Sequence, residues 1–251
     1  MNNKISAVFA ALSAFAAAGF IPALDAPAAA MGITPLQLEM TSIGQTSRSQ
    51  LSVTNDSDNP LPVEASIEKL TLEEDGTRKT VKAGSEFLVF PPQAVIPPRT
   101  TQVFRVQWVG EPMLAKSESF VLTMKQLPLR LPGSKGAVQV VMAFGVIVDV
   151  APQKGVPSLK IVGTGVATGK DGKRHPTITV ENASNTHALL PQSTIALSSG
   201  QWSKSLDAGA MQQVGIGLVQ PGKRRKFVLP VDLPAGVNSV QASLDFKPRK
   251  P

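Results

Sequence analysis

The chain reads FPPQAVIPPRTTQVFRVQW over residues 90–108 and SESFVLTMKQLP over residues 117–128, and these two segments indicate the kind of fold to expect. The prolines at the start are typical of an extended segment that leads into a turn. The alternation that follows predicts a strand that carries Arg105 on its inward face. The second segment predicts a strand whose Glu118 pairs with that arginine. No common enzyme is built in this way.

Most of the remaining chain is also predicted to form strands. Segments rich in valine, threonine, isoleucine and phenylalanine alternate with polar residues and are separated by clusters of Gly, Pro, Asn and Asp. The clearest lie at residues 51–54, 63–67, 103–108, 137–150, 177–180 and 237–246. Since no segment keeps helical periodicity over three turns, the pattern predicts an all-β fold of sandwich type.

A weak internal repeat indicates two such sandwiches in tandem. Residues 52–59, SVTNDSDN, resemble residues 179–185, TVENASN. In each segment a predicted strand ends in a polar turn. A later pair, residues 95–99 and 219–223, occurs in the same order in each half. The boundary is expected at residues 151–155, where a long apolar strand meets a Pro/Gly segment.

The first thirty residues are predicted to be a signal peptide. Lys4 supplies the positive start, Ile5–Ile21 is apolar, and Ala28–Ala30 offers the small residues at which such peptides are cleaved. The apolar part is too short and too rich in alanine for a comfortable membrane span, so we expect cleavage near Ala30, with a retained anchor as the alternative. The chain is therefore expected to consist of a signal peptide at residues 1–30, a first domain at residues 31–151 and a second domain at residues 156–251.

Composition argues against several functional classes. The net charge is +7 and there is no cysteine, which excludes disulfides and thiol chemistry. We interpret the charge as a solvated basic surface, with an acidic partner as the alternative. The two basic runs, Lys223–Lys226 and Lys247–Lys250, are not interleaved with aromatic residues, so nucleic acid is not expected as a partner.

An enzyme is not expected either. His175 and His187 are the only histidines, and both are predicted to be exposed loop residues. With no cysteine, a zinc site would need these two and scattered carboxylates, so no metal and no cofactor are predicted. The chain lacks a phosphate-binding glycine loop and a nucleophile elbow. A hydrolase site assembled from distant residues remains an alternative.

The segment at residues 137–150 is apolar on both faces. Val138, Val140, Met142 and Phe144 alternate with residues that include further apolar groups, and no charge lies between residues 135 and 149. One interpretation is a central strand covered on both sides by its own domain. The other is an exposed edge strand that pairs with a partner protein. Strand edges are normally protected by charge or proline, and this segment has no charge to protect it.

Residues 55–152 resemble the periplasmic pilus chaperones of the PapD-like family. The resemblance rests on the turn Asn55-Asp56, the entry Leu61-Pro62, the pair Pro91-Pro92, Arg105 and the run Glu118–Pro128. The second half matches mainly in layout, so the chain is expected to be a divergent member. The resemblance implies two immunoglobulin-like β-sandwich domains.

The resemblance also implies a function. In this family the last strand of the first domain is lent to an incomplete pilin subunit, which is later released to an outer-membrane usher. The residues that would fill the subunit's groove here are Val138, Val140, Met142 and Phe144. The implied partners are pilin or fimbrial subunits and the usher, in the periplasm, with no cofactor and no stable membrane insertion.

Several family positions are occupied differently in this chain. Arg105 and Glu118 match two members of an internal ion-pair cluster, but the third position is Ala151. The basic pair that anchors the carboxyl end of the subunit falls on Glu39 and Ile147, neither of which binds a carboxylate. The replacement anchors considered are Lys125, Arg130 and Lys154.

A secreted tandem β-sandwich that acts as a binding or adhesion module, with no pilin client, is the main alternative. It predicts that the residues around Val140 are core, whereas the chaperone hypothesis predicts that they contact the client. A hydrolase would depend on His175 or His187.

Overall fold

The computed structural model describes residues 31–83, 85–128, 141–170 and 172–248. These residues form two β-sandwich domains in sequence order, which confirms the predicted all-β fold. The predicted signal peptide lies outside the described residues. In the described ranges, no helix is long and apolar enough to cross a membrane.

The first domain is made of the strands β1 (Met31–Thr34), β2 (Gln37–Thr41), β3 (Arg48–Asn55), β4 (Leu61–Leu72), β5 (Arg78–Lys82), β6 (Phe87–Phe90), β7 (Gln93–Ile96), β8 (Thr101–Trp108), β9 (Glu118–Gln126) and β10 (Ala143–Ala151). One sheet has the order β1-β3-β8-β6. The other has the order β2-β10-β9-β4-β5, and β7 also pairs with β4. A short 3₁₀ turn at Gln45–Ser47 joins β2 to β3.

The second domain is made of the strands β11 (Lys160–Thr168), β12 (Arg174–Glu181), β13 (Ala188–Leu189), β14 (Ser193–Ser199), β15 (Trp202–Leu206), β16 (Leu218–Val219), β17 (Arg224–Val228) and β18 (Gln241–Phe246). Its sheets have the orders β11-β12-β17 and β15-β14-β18, with β13 and β16 as a small separate pair. One helical turn, α1 (Ala208–Met211), and 3₁₀ turns at Leu190–Gln192 and Gln212–Val214 complete it.

Each domain has its own apolar core. In the first, alternate side chains of both sheets meet, and Phe104 and Phe120 are completely buried. The rings of Phe87 and Phe120 pack edge to face with centroids 4.9 Å apart. In the second, Ile178 and Leu197 are buried side chains that come from different sheets. Fully burying a large apolar side chain contributes roughly 1.5–3 kcal/mol.

The internal repeat has a structural counterpart in two asparagine turns. The amide nitrogen of Asn55 donates to the carbonyls of Asn59, Ile96 and Pro97, at 2.8, 3.1 and 3.0 Å. The amide of Asn182 closes the corresponding turn in the second domain. Each turn therefore ties the end of one strand to a distant segment of the same sandwich.

The two domains meet through an apolar cluster and several hydrogen bonds. Leu70, Leu72 and Ile147 of the first domain pack with Leu189 and Leu218 of the second. The side chain of Gln220 adds two bonds to the backbone of β4, to the carbonyl of residue 70 and from the amide of residue 72, both 2.8 Å. The connection between the domains runs from the end of β10 to the start of β11 and includes the predicted boundary.

Candidate binding site at the edge of β10

The strand β10 has two neighbours, but only over part of its length. It pairs with β9 from Ala143 to Val150, and with β2, in parallel, from Ile147 to Ala151. Among the described residues, no strand pairs with the second edge of residues 143–146. Within the described part of the chain this stretch therefore has one unpaired edge, which is the feature that allows another strand to be added.

The predicted donor residues divide into two groups. Val138 and Val140 lie outside the described residues. Met142 and Phe144 are half-buried and pack against the rim of the first core, and Val146 continues the same face into the fully buried interior. On the opposite face, Val141 is 40% exposed. The open edge thus lies in the part of the strand whose side chains are only partly buried.

The apolar character of both faces of β10 has a specific cause. The even-numbered residues Val146, Val148 and Val150 enter the core of the first domain. On the other face, Ile147 is buried in the cluster between the domains. The second half of the strand is therefore covered on both sides, as expected for a central strand. Its first half has an open edge among the described residues, as expected for an edge strand.

The predicted ion pair between Arg105 and Glu118 is wrong. Arg105 is exposed on β8, since it alternates with the buried Phe104 and Val106, and β8 belongs to the sheet opposite β9. Glu118 instead binds Lys69 on the neighbouring β4, with Nζ 2.7 Å from Oε1. The arginine therefore points to solvent rather than inward.

Sequence reasoning missed a buried acid in this region. Asp149 is completely inaccessible to solvent and accepts hydrogen bonds from Ser119 Oγ at 2.6 Å and Gln37 Nε2 at 3.2 Å. These contacts join β9, β10 and β2 at the end of the sheet. A single acid within an uncharged strand was the signal that could have revealed it, because buried charges require polar partners.

Of the three replacement anchors, the two that the structure describes, Lys125 and Lys154, are not brought together. Lys125 is exposed on β9 opposite Ala143, at one end of β10, and Lys154 is exposed just beyond its other end. At about 3.3 Å per residue, the two ends of β10 are roughly 26 Å apart, so one carboxylate cannot contact both lysines. Arg130 lies outside the described residues. Glu39 is exposed on β2 and Ile147 is buried, so neither is a carboxylate ligand.

The histidines are not the exposed loop residues that were predicted. His187 is buried between the domains, where its backbone N–H donates to Ser117 Oγ at 3.0 Å and its Nδ1 lies 3.1 Å from the same oxygen. His175 is half-buried, and its Nδ1 lies 3.0 Å from the carbonyl oxygen of Val231. Both are part of the packed structure because distant segments cover them, which local sequence does not show.

The chain thus folds as two tandem β-sandwiches, and among the described residues the last strand of the first sandwich has an open edge. Residues 31–154 match the family of pili and flagellar-assembly chaperones, over the region described as the PapD N-terminal domain. The first domain therefore belongs to this PapD-like family. No curated protein sequence matches it.

Solved structures with the same fold include several fimbrial chaperones. The class 5 fimbriae chaperone CfaA is 12% identical, with a TM-score of 0.53, and the match covers 88% of this chain and 100% of that one. The YadV chaperone is 13% identical, with a TM-score of 0.51, and the match covers 84% of this chain and 90% of that one. The structure of the SafA pilin from Salmonella enterica in complex with the SafB chaperone gives a match at 14% identity, with a TM-score of 0.50, over 87% and 96% of the two chains.

Proposed function

We propose that this protein is a periplasmic chaperone that binds and stabilises pilin or fimbrial subunits by lending them the strand that includes Val138, Val140, Met142 and Phe144. The observation that carries the proposal is the open edge of β10 at residues 143–146. The family membership and the pilin bound to a structurally similar chaperone support it.

The physical basis of binding is strand addition. The free backbone N–H and C=O groups along the edge supply affinity that tolerates different client sequences. Alternate side chains then enter the client, and each one that becomes fully buried contributes roughly 1.5–3 kcal/mol. Met142 and Phe144 are half-buried in the free protein, so part of their surface is still available for this purpose.

Delivery and location complete the proposal. The subunits are captured after export and are passed to an outer-membrane usher, with release by exchange for a better-fitting strand. The predicted signal peptide, cleaved near Ala30, directs the protein to the periplasm. The chaperone needs no cofactor and catalyses no reaction, since strand exchange changes no covalent bond.

The decisive experiment is co-purification of clients from periplasm with the parent protein and with Val140→Asp and Met142→Asp. Both variants place a charge in the proposed client interface and should lose small β-rich subunits while remaining folded by circular dichroism. Val156→Asp is the matched control, because Val156 is 75% exposed outside the edge and should retain the clients.

Two results would contradict the proposal. Clients retained by both folded interface variants would show that the edge does not bind them. An absence of any co-purified subunit with the parent protein would favour the alternative, a secreted tandem β-sandwich that acts as a binding or adhesion module without a pilin client.

A further inference from the structure

The outer face of the sheet β1-β3-β8-β6 carries exposed apolar side chains near one margin. Leu88 and Phe90 lie on β6, the last strand of this sheet, and are 59% and 69% exposed. Val103 on β8 is diagonal to Phe90 on the same face and is also exposed. Single exposed apolar residues are ordinary on a protein surface, but three that share one face indicate contact with another surface.

Two arginines lie beside this apolar group. Arg105 on β8 is directly opposite Phe90, and Arg48 on β3 is directly opposite Gln107, whose neighbour on the other side is Leu88. An open trough crosses β3 and β8 and is lined by Arg48, Ser49, Gln50, Arg105, Val106 and Gln107. The face is therefore cationic in its middle and apolar at its β6 margin.

The positive charge of this face is not balanced within the described part of the chain. There, the guanidinium groups of Arg48 and Arg105 form neither an ion pair nor a hydrogen bond. The four strands of the sheet contain no acidic residue. Glu86, which precedes β6, is half-buried, and its Oε2 is inaccessible to solvent. An anionic surface is therefore attracted to this face.

The geometry disfavours an added strand or a second copy of the chain as the occupant. The strand β6 has four residues and is followed by Pro91 and Pro92, so its outer edge offers few backbone groups for strand addition. A second copy would bring the same arginines against Arg48 and Arg105, in a chain whose net charge is +7.

A bilayer that contains anionic lipids suits both parts of the face. It presents many mobile phosphates, so it requires no concave pocket, and guanidinium groups pair well with phosphate oxygens. Because neighbouring strands lie about 4.8 Å apart, Arg48 on β3 is roughly 10 Å further from the margin than β6. When the β6 margin enters the headgroup layer, its apolar side chains reach the acyl boundary while the arginines stay near the phosphates.

We propose that the outer face of β3, β8 and β6 binds the surface of a membrane that contains anionic phospholipids. Arg48 and Arg105 contact the phosphates, and Leu88 and Phe90 contact the acyl boundary. The contact is peripheral and reversible, because two apolar side chains anchor a protein only weakly. The β6 margin is opposite the one at which β1 leads into β2, the neighbour of β10. The open edge of β10 therefore stays free in the membrane-bound protein.

The test is co-sedimentation of the mature protein with vesicles of phosphatidylcholine alone and with vesicles in which phosphatidylglycerol replaces part of that lipid. The protein should sediment with the anionic vesicles, and added salt should release it. Arg48→Gln combined with Arg105→Gln should lower the binding constant about thirtyfold, the equivalent of roughly 2 kcal/mol at about 1 kcal/mol per arginine. Circular dichroism shows whether this variant is folded.

The matched control is Lys204→Gln combined with Arg224→Gln, which removes two exposed charges from the second domain. Its net charge equals that of the double arginine variant, but it should bind the anionic vesicles nearly as the parent protein does. An equal loss of binding in the two variants would overturn the inference, because it would show a dependence on net charge alone.

A fluorescent label tests the apolar contact. The chain has no cysteine, so Leu88→Cys creates a unique site for an environment-sensitive fluorophore. Its emission should shift to shorter wavelength on anionic vesicles, because the label leaves water for the acyl boundary. The control is the same label at Val156→Cys, since Val156 is exposed in the connection between the domains, and it should show no shift.

The remaining outcomes are equally decisive. Equal sedimentation with both kinds of vesicle, sedimentation with neither, or equal spectral shifts from both labels would overturn the inference. Binding to poly-glutamate without binding to vesicles would also overturn it, since the face would then belong to an acidic polypeptide. No client is present in these measurements, so their result is independent of the co-purification experiment.

Discussion

Asn55 in the first domain and Asn182 in the second make matching hydrogen-bond sets around equivalent turns. The Oδ1 atom of Asn55 accepts from the N–H and hydroxyl of Ser57, at 3.0 and 2.7 Å, and that of Asn182 accepts from Ser184 at 3.0 and 2.6 Å. Both amides also donate to carbonyls of distant strands. The same set of asparagine hydrogen bonds thus stabilises a turn in each sandwich.

Replacing either asparagine should destabilise its own domain. Asn55→Ala or Asn182→Ala removes the amide donor from two or three buried or partly buried backbone carbonyls, so the free energy of unfolding should fall by about 2–4 kcal/mol. Urea denaturation measures the change. Asn59→Ala is the control, because that side chain is exposed, and it should change stability by no more than about 0.5 kcal/mol. Equal effects of all three would contradict the role of the turns.

The repeat and the all-β class could be predicted because both depend on local patterns. Strand periodicity and turn residues are visible in a few consecutive positions, and the polar turns at Asn55 and Asn182 follow strands in both halves. The phase of β8 was also visible, since Phe104, Val106 and Trp108 alternate with Arg105. The prediction that Arg105 faces inward took the wrong phase of this alternation, since the structure buries the apolar residues and exposes the arginine.

The interface between the domains could not be predicted in this way. His187 lies against Ser117 although 70 positions separate them, and Gln220 binds β4 from an even greater separation. Nothing in the local sequence of a polar turn specifies which distant segment covers it.

The pairing of Glu118 should be measurable by a double-mutant cycle. Lys69→Met and Glu118→Gln should show a coupling energy of no more than about 1 kcal/mol, because both side chains are partly exposed to solvent. The corresponding cycle with Arg105→Gln and Glu118→Gln should show none. A larger coupling in the second cycle would contradict the separation of these residues on opposite sheets.

Ser119 should stabilise the protein through its hydrogen bond to the buried Asp149. Ser119→Ala removes a hydrogen bond to a fully buried carboxyl group, so the free energy of unfolding should fall by about 2–3 kcal/mol. The control is Ser66→Ala on the neighbouring β4, where the side chain is exposed. Chemical denaturation of both variants provides the comparison, and similar stability in the two would argue against a structural role for the buried acid.

Gly155 in the connection between the domains should not tolerate a side chain. A Cβ atom there would lie 2.0 Å from Oγ1 of Thr186 and 2.8 Å from Oδ1 of Asn185, so Gly155→Ala must displace either the connection or these two side chains. We expect lower thermal stability and faster proteolysis near residue 155. Gly163→Ala is the control, since its nearest contacts, at 3.6 and 3.7 Å on Thr179, are ordinary. Equal protease resistance in the two variants would contradict the close contact.

The central claim, that the edge of β10 is where a client binds, is tested most directly by cross-linking. The chain has no cysteine, so Val141→Cys creates a unique attachment site for a maleimide photo-cross-linker beside the open edge. Met113→Cys is the matched control, because Met113 is 77% exposed elsewhere on the first domain. After illumination in periplasm, the protein labelled at residue 141 should be joined to small β-rich subunits and that labelled at residue 113 should not. Equal cross-linking from both positions, or none from residue 141 while clients still co-purify, would contradict the claim.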